Sequence, residues 1–294
     1  MRRENIMDKP VIVAEAGCNH CGSMEIAKEM IKMAAMFCQA DYIKFQKRCP
    51  EELLSVEEFN APHPNPANSY GETYGLHRVH LELNIDQHKQ LMDWCEQYGI
   101  KYASSVWDMT SAAEIISLKP DFIKIPSASN THSDMIKLIC EEFGGQIHVS
   151  TGMTTRSELE ALIFLLESKM RLKDTVIYHC TSGYPVSFSE CYLLEILNFE
   201  KDYGSRIAGI GFSGHHLGIA IDNAAYALGA RWFERHFTLD RTLKGTDHAA
   251  SLEPDGLRRL CRDLKATAQT LQMKSTEIAS IEVPQREKLK WIKK

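Results

Sequence analysis

Two lysines stand inside apolar, β-branched runs, in the matched phrases YIKFQ (42–46) and FIKIPS (122–127). A lysine inside a strand is expensive to bury without a partner. One such residue can snorkel or pair structurally. Two of them, Lys44 and Lys124, point to an anionic ligand. Hydroxyls gather at the ends of similar runs: Ser104 and Ser105, Ser127, Ser150 and Thr151, Thr181 and Ser182, and Ser213. Together with backbone amides at helix N-termini they form a cradle for phosphate or carboxylate. His215 and His236 end two consecutive runs. Two imidazoles suit a borderline divalent ion and leave positions open for water and substrate. A structural pair, or a lone acid–base histidine, is the other reading of the same residues. Glu15 with Asn19 and His20, Gln46, and Glu234 are the remaining polar groups at run ends.

The elements that must position these groups read as alternating strands and helices. Strand-like runs cover Val11–Ala16, Asp41–Gln46, Lys101–Ser105, Asp121–Ile125, Gln146–Ser150, Thr175–Cys180, Ile207–Phe212 and Arg231–His236. Segments of helical period lie between them, among them Ser23–Cys38, Asp86–Tyr98, Thr155–Ser168 and Asp222–Leu228. Ser23 is a candidate N-cap, and Met30, Met33 and Met36 read as packing residues. Strict alternation implies parallel strands with right-handed crossovers. Eight units at this length predict an α/β fold, a (β/α)8 TIM barrel, whose strand ends converge on one mouth. An open doubly wound sheet is the competitor, but no GxGxxG follows the first run. One segment, Ser55–His77, breaks the rhythm with APHPNPANSYGETYG. It reads as a loop at the mouth or as a surface excursion.

Bulk properties exclude several classes. The chain has 294 residues, 44% hydrophobic and 25% charged, with a net charge of −5. That charge argues against general affinity for nucleic acid or anionic membrane. The start, MRRENIMDKPVIVAEAG, does not read as a secretory leader, and no stretch approaches the roughly 18 apolar residues of a membrane span. Nine cysteines, an odd and scattered set, fit a reducing cytoplasm better than a disulfide framework. Cys18 and Cys21 form a lone CxxC and read as bystanders. The basic run Gln285–Lys294 reads as a solvated helix.

Taken together, several phrases resemble the sialic acid synthase family, the phosphoenolpyruvate-condensing enzymes that make nonulosonic acids. They are AEAGCNHCGS (14–23), IKFQ (43–46), IKIPSASN (123–130), STGM (150–153), HCTSGYP (179–185), GFSGHHLG (211–218) and RHFTLDRTLKGTDHAASLEP (235–254). The resemblance runs from residue 11 to beyond Pro254. It implies a barrel transferase of carbohydrate biosynthesis that joins phosphoenolpyruvate to an N-acylmannosamine-like aldose and releases phosphate. It implies a divalent cofactor, manganese first and magnesium or cobalt next, on His215 and His236. Lys44 and Lys124, with Ser105, Ser127, Ser150 and Ser213, match the phosphoenolpyruvate cradle. Gln46, Tyr184 and Asp247 match acceptor contacts. Glu15 matches the acid beside the reacting carbons. A homo-oligomer, a dimer first, is implied as well.

The sequence also departs from the family. Ala128-Ser129 replaces a Gly-Glu pair, Ser182 replaces an asparagine, and Gly214-His215-His216 replaces Asp-His-Thr. His216 reads as a helix-start residue. The family's small antifreeze-like domain has no counterpart, so one TIM-barrel domain over residues 1–294 is expected. The acceptor side is then open, or capped by Ser55–His77 or a second subunit. Two other functions remain at this point: a metal-dependent aldolase or lyase on a phosphorylated sugar, and a non-catalytic sugar- or phosphate-binding relative.

Overall fold

The computed structural model describes residues 9–291. Residues 1–8, the first part of the stretch MRRENIMDKPVIVAEAG, and 292–294, the end of the basic run, lie outside the described residues. Eight parallel strands close into a barrel: β1 (Val11–Gly17), β2 (Tyr42–Lys47), β3 (Lys101–Val106), β4 (Phe122–Ile125), β5 (Gln146–Ser150), β6 (Thr175–Cys180), β7 (Gly209–Gly214) and β8 (Trp232–His236). β8 pairs back onto β1. One barrel helix follows each strand: α1 (Met24–Lys32), α2 (Ile85–Tyr98), α3 (Met109–Leu118), α4 (Ser133–Glu142), α5 (Arg156–Ser168), α6 (Glu195–Tyr203), α7 (Ala220–Ala227) and α8 (Pro254–Thr270). No described helix is long and apolar enough to cross a membrane.

The period of two along each strand makes two separate cores. Ile12, Ile43, Phe45, Ile123, Ile125, Ile147, Val149, Ile177 and Phe233 belong to the large cluster shared with the helices. Val13, Tyr42, Ala103 and Phe122 form a second cluster inside the barrel, with Val11 and Trp232 against it. His148 seals this interior: it stacks on Phe122 at 3.8 Å between ring centroids and meets the Tyr178 hydroxyl at 3.0 Å. Burial holds its pKa well below the usual imidazole value, so it packs as a neutral ring. Above this floor the inward positions turn polar.

Helix starts are fixed by side chains the sequence supplies at the right offsets. Ser23, Asn84, Asp108 and Thr155 each accept a hydrogen bond from the first helical turn, and Asn84 and Thr155 do so within capping boxes. These caps hold the barrel helices in register with the mouth.

Four readings need correction. Ser23–Cys38 is not one α-helix; from Met33 to Cys38 it widens into a π-helical turn. The wider turn rotates Met36 outward to 65% exposure, so Met30 and Met33 pack and Met36 does not. β7 begins at Gly209, two residues later than expected, because the ladder with β6 starts at Val176 opposite Gly209. Ser55–His77 is no featureless loop: it contains helix Val56–Asn60 and leads into helix Tyr74–Leu81. The basic run needs no correction: read as a solvated helix, it lies in the exposed helix Val283–Leu289 up to Leu289, with Lys290 and Trp291 beyond its end.

His216 is the fourth. It does not start α7, whose N-cap is Ile219. It is fully buried behind β7 and β8, 3.0 Å from Arg235 Nη1 and 3.2 Å from Asp222 Oδ2. Gly214 makes room for it, because a Cβ there would lie 2.9 Å from the His216 ring and 2.8 Å from Phe212. The two departures at 214 and 216 are therefore one packing solution. Arg235 donates to Asp222 at 2.6 Å and to the carbonyls of His216 and Gly218. Asp222→Ala strands this buried guanidinium and is expected to cost about 3–5 kcal/mol in urea unfolding. A loss below about 1 kcal/mol would show that the carbonyls and His216 suffice.

Candidate active site

The mouth of the barrel holds a cavity of two lobes. The smaller, about 240 Å³, is lined by Glu15, Lys44, Gln46, Ser105, Lys124, Ser127, Ser150, Tyr184, Ser213, His215 and His236, every residue to which the resemblance gives a role except Asp247. Of the other polar run ends, Asn19 lines the larger lobe, Thr151 and Thr181 line a separate pocket, and His20 and Ser104 line neither lobe, Ser104 Oγ donating to the Ser105 carbonyl instead. Asp247 lines the larger lobe, about 480 Å³, with Gln46, Tyr184 and His236. Those three and Trp107 border both lobes. Strand register explains the gathering. Glu15 pairs with Lys44 on one side and His236 on the other, Ser105 with Lys124, and Ser213 with Glu234, so all share the inward face.

The floor of the small lobe is a chain of charges of alternating sign. Lys44 Nζ lies 2.5 Å from Glu15 Oε2 and 3.7 Å from Glu234 Oε2, and Lys124 Nζ lies 2.8 Å from the same Glu234 oxygen. Glu15, Lys44 and Lys124 are each 1% exposed, so these charges are held by one another and not by water. Ser105 Oγ accepts from Lys44 at 2.7 Å, and Ser213 Oγ donates to Glu234 at 3.2 Å. Lys124 Nζ also sits 3.8 Å from the centre of the Tyr178 ring.

The two carboxylates differ in character. Burial pushes the Glu15 carboxyl above its ordinary range against the pull of Lys44, and the charge on Glu234 adds to the rise. Burial would raise Glu234 too, but Lys124 and Lys44 together hold it far below. Burial also lowers Lys124. Environments that push two acids apart assign them different work. Glu234 is fixed charge, and Glu15 is the acid suited to exchange a proton. Glu15 Oε1 accepts from Gln46 Nε2 at 2.6 Å. Gly17, at φ +52°, lets them approach, since a Cβ would sit 3.2 Å from Gln46 Nε2, 3.3 Å from Glu15 Oε1 and 3.5 Å from Asp247 Oδ2.

The histidines meet at the junction of the lobes, with ring centroids 5.5 Å apart. His215 Nδ1 lies 2.9 Å from the Thr181 carbonyl, which only accepts, so Nδ1 carries the hydrogen and Nε2 is the nitrogen that would face a ligand. Burial would lower the ring's pKa, but Cys180 and the Thr181 carbonyl raise it, so an ion would have to displace a proton from Nε2 when the ring is charged. Burial lowers His236 to about 4, which keeps it neutral at pH 7. Its buried Nδ1 has no hydrogen-bond partner and lies 3.7 Å from Asp247 Oδ2. Two such imidazoles fit a divalent ion completed by water and substrate. Among the described residues no set of three or more His, Cys, Asp or Glu side chains is arranged as a metal cage.

Of the three remaining departures, Ala128 lines the small lobe and Ser129 turns away: its hydroxyl donates to the Trp107 carbonyl at 2.9 Å. Ser127 Oγ accepts from the backbone N–H of Gly152 at 3.0 Å, and Ser182 lines the small lobe beside it. Several site residues escaped the sequence reading. Glu234 stands out in the sequence only as a polar strand end. Arg48, Trp107, Tyr70, Arg78 and Lys244 line the large lobe unannounced. The Arg48 guanidinium lies 4.1 Å from the Trp107 ring centre and ion-pairs Glu82 at 3.7 Å. The Trp107 ring N–H is buried without a protein partner. Cys18 and Cys21 are free; Cys18 is in the wall of the large lobe, where it accepts from Arg48 at 3.2 Å.

Known proteins align with this arrangement across most of the chain. The NeuB family model matches residues 30–276. The chain is 34% identical over 278 residues to N-acetylneuraminate-9-phosphate synthase of Homo sapiens, covering 95% of this chain and 76% of that protein. It is also 34% identical over 260 residues to N,N'-diacetyllegionaminic acid synthase of Campylobacter jejuni, covering 88% and 76%. Among solved structures, the N-acetylneuraminic acid (sialic acid) synthetase from Leptospira borgpetersenii in complex with citrate superposes with a TM-score of 0.80 at 26% identity, over 96% of this chain and 93% of that one. A truncated 3-deoxy-D-arabino-heptulosonate 7-phosphate synthase from Thermotoga maritima, at TM-score 0.66 and 13% identity, shares the fold.

Proposed function

The chain belongs to the NeuB family, and from that premise we propose that it condenses phosphoenolpyruvate with an N-acylated amino sugar aldehyde to a 3-deoxy-2-keto sugar acid, releasing phosphate. The observation that carries the reading is the two-lobed cavity. A small lobe over buried lysines suits the three-carbon anion, and a larger polar lobe suits the sugar. Their shared border at Gln46, Tyr184 and His236 is where carbons from both would meet. A lyase acting on one sugar, or a simple binding protein, needs only one lobe.

In this reading Lys44 and Lys124 face the donor's charges from the floor, with the hydroxyls of Ser127, Ser150 and Ser213 and the Ser105–Lys44 contact orienting it. His215 and His236 would hold a divalent ion, manganese first, which supplies Lewis acidity toward the aldehyde oxygen. The enol π electrons of the donor form the new carbon–carbon bond, leaving cationic character at C2. The line of carboxylates, Glu15 and Glu234, stabilises that charge. Glu15 accepts the proton of the water that adds at C2. The resulting intermediate expels phosphate with its bridging oxygen, its C2 hydroxyl gives up a proton as the ketone forms, and the former aldehyde oxygen takes up a proton to become a hydroxyl. Gln46, Tyr184 and Asp247 contact the acceptor.

A homodimer in the cytoplasm belongs to the same proposal. All nine cysteines are free, and the apolar side chains of Met153, Phe188, Tyr192 and Leu217 are exposed and available to a second copy.

The test is phosphate release that requires both phosphoenolpyruvate and an aldose, with the condensed acid detected by mass. Release with either substrate alone overturns the reading. Removal of divalent ions with a chelator is expected to lower turnover by about 100-fold or more, with manganese restoring it. Full activity of the metal-stripped enzyme removes the metal from the mechanism.

A further inference from the structure

Identity is the same, 34%, to a relative named for a 9-phosphate product and to one named for diacetyllegionaminic acid, so the pocket must decide the acceptor. The large lobe is lined by three cations, Arg48, Arg78 and Lys244, and by one carboxylate, Asp247. Asp247 lies beside His236, at the junction with the donor lobe. Arg48 already pairs with Glu82 and donates to Cys18 and Gln46. Arg78 and Lys244 border the large lobe and not the small one.

Neither of those two cations has an ion-pair partner among the described residues. Arg78 is steered by the Tyr74 hydroxyl, which takes its Nε and Nη2 hydrogens at 3.0 and 2.8 Å and leaves Nη1 unused. Lys244 Nζ lies 4.8 Å over the Tyr70 ring, and the Tyr70 hydroxyl donates to the Lys244 carbonyl at 2.5 Å. This contact ties the excursion between β2 and β3 to the loop after β8 and places Lys244, as Tyr74 places Arg78. The adjoining cleft, about 240 Å³, also carries Arg48 and Arg78 and no carboxylate. Asp247 and Glu82 feel the Arg78 charge without pairing with it, so a neutral sugar leaves two oriented cations in this wall with no direct ion pair. A phosphate monoester gives them one, with oxygens matched to the guanidinium fork.

We propose that the acceptor is a phosphorylated aldose, its aldehyde at the His236 junction and its phosphate at Arg78 and Lys244. This rests on the condensation reading for the placement of the aldehyde. The test is titration calorimetry of the full chain with N-acetylmannosamine 6-phosphate and with N-acetylmannosamine. The ester is expected to bind about 30-fold tighter or more, and Arg78→Gln and Lys244→Gln each to shrink that ratio by about 5- to 10-fold. Lys244 is exposed, so its variant keeps the test open if Arg78→Gln folds poorly. Equal affinities, or a ratio unchanged in both variants, overturn the proposal. Phosphate release measured in parallel separates the two readings. Tight binding of the ester with no condensation sinks the condensation and leaves the cationic subsite standing. Equal turnover on both sugars does the reverse.

Discussion

Glu15→Gln is expected to lower phosphate release by about 10³-fold, with the fold intact. Glutamine keeps the shape and can still meet Gln46, so the Glu15–Gln46 contact at 2.6 Å is replaced and not emptied. What disappears is the negative charge 2.5 Å from Lys44 and the group that takes a proton. Lys44 retains Glu234 at 3.7 Å and Ser105 at 2.7 Å, so it is not left unpaired. Stability should therefore fall by only about 1–2 kcal/mol. The loss should fall on kcat far more than on the KM for phosphoenolpyruvate, because the donor's anions face the lysines and hydroxyls instead. Activity within tenfold of wild type would remove Glu15 from the chemistry. A rise in KM without a fall in kcat would make it a positioning residue for Lys44.

Much of this site was legible because strand periodicity and chemistry agree. A polar residue at every second position near the end of an apolar run has one place to go in a barrel, which is inward and up. Lys44, Lys124, Ser105, Ser213 and His236 follow that rule. Glu234 follows it too, two residues before His236 on the same inward face. The same alternation sends His216 to the opposite face from His215, where Arg235 and Asp222 receive it. The large lobe was less legible for a physical reason. Arg48, Arg78 and Lys244 lie on connections that return to the mouth, and no period dictates where such a side chain lands. Tyr70 and His77 were inside the segment suspected of reaching the mouth, yet composition alone could not say which of its residues face inward.

The strongest test of the charged floor is Lys124→Met. Methionine fills a similar space but leaves Glu234, buried and ionised, with only Lys44 at 3.7 Å and the Ser213 hydroxyl at 3.2 Å. Breaking a buried pair by removing one partner leaves an uncompensated charge, which puts the loss near about 3 kcal/mol at pH 7.5. The sign of its pH dependence follows from Glu234. In the native protein that carboxyl is held below its ordinary value, so its stabilisation is present above the unfolded-state pKa and is lost as pH falls toward the folded one. In the variant, burial is the larger influence and the carboxyl rises instead. Protonation then favours the folded variant as pH falls below that raised value. The gap between the two proteins should therefore shrink steadily from pH 7.5 to pH 5 in urea unfolding. Adding Glu234→Leu to Lys124→Met removes the stranded charge and should recover most of the lost stability, while phosphate release stays about 10³-fold or more below wild type. A single variant as stable as wild type, or a double variant no more stable than the single, would mean that Lys44 and Ser213 alone satisfy Glu234. The floor would then be one ion pair with a neighbouring lysine, not a linked chain of four charges.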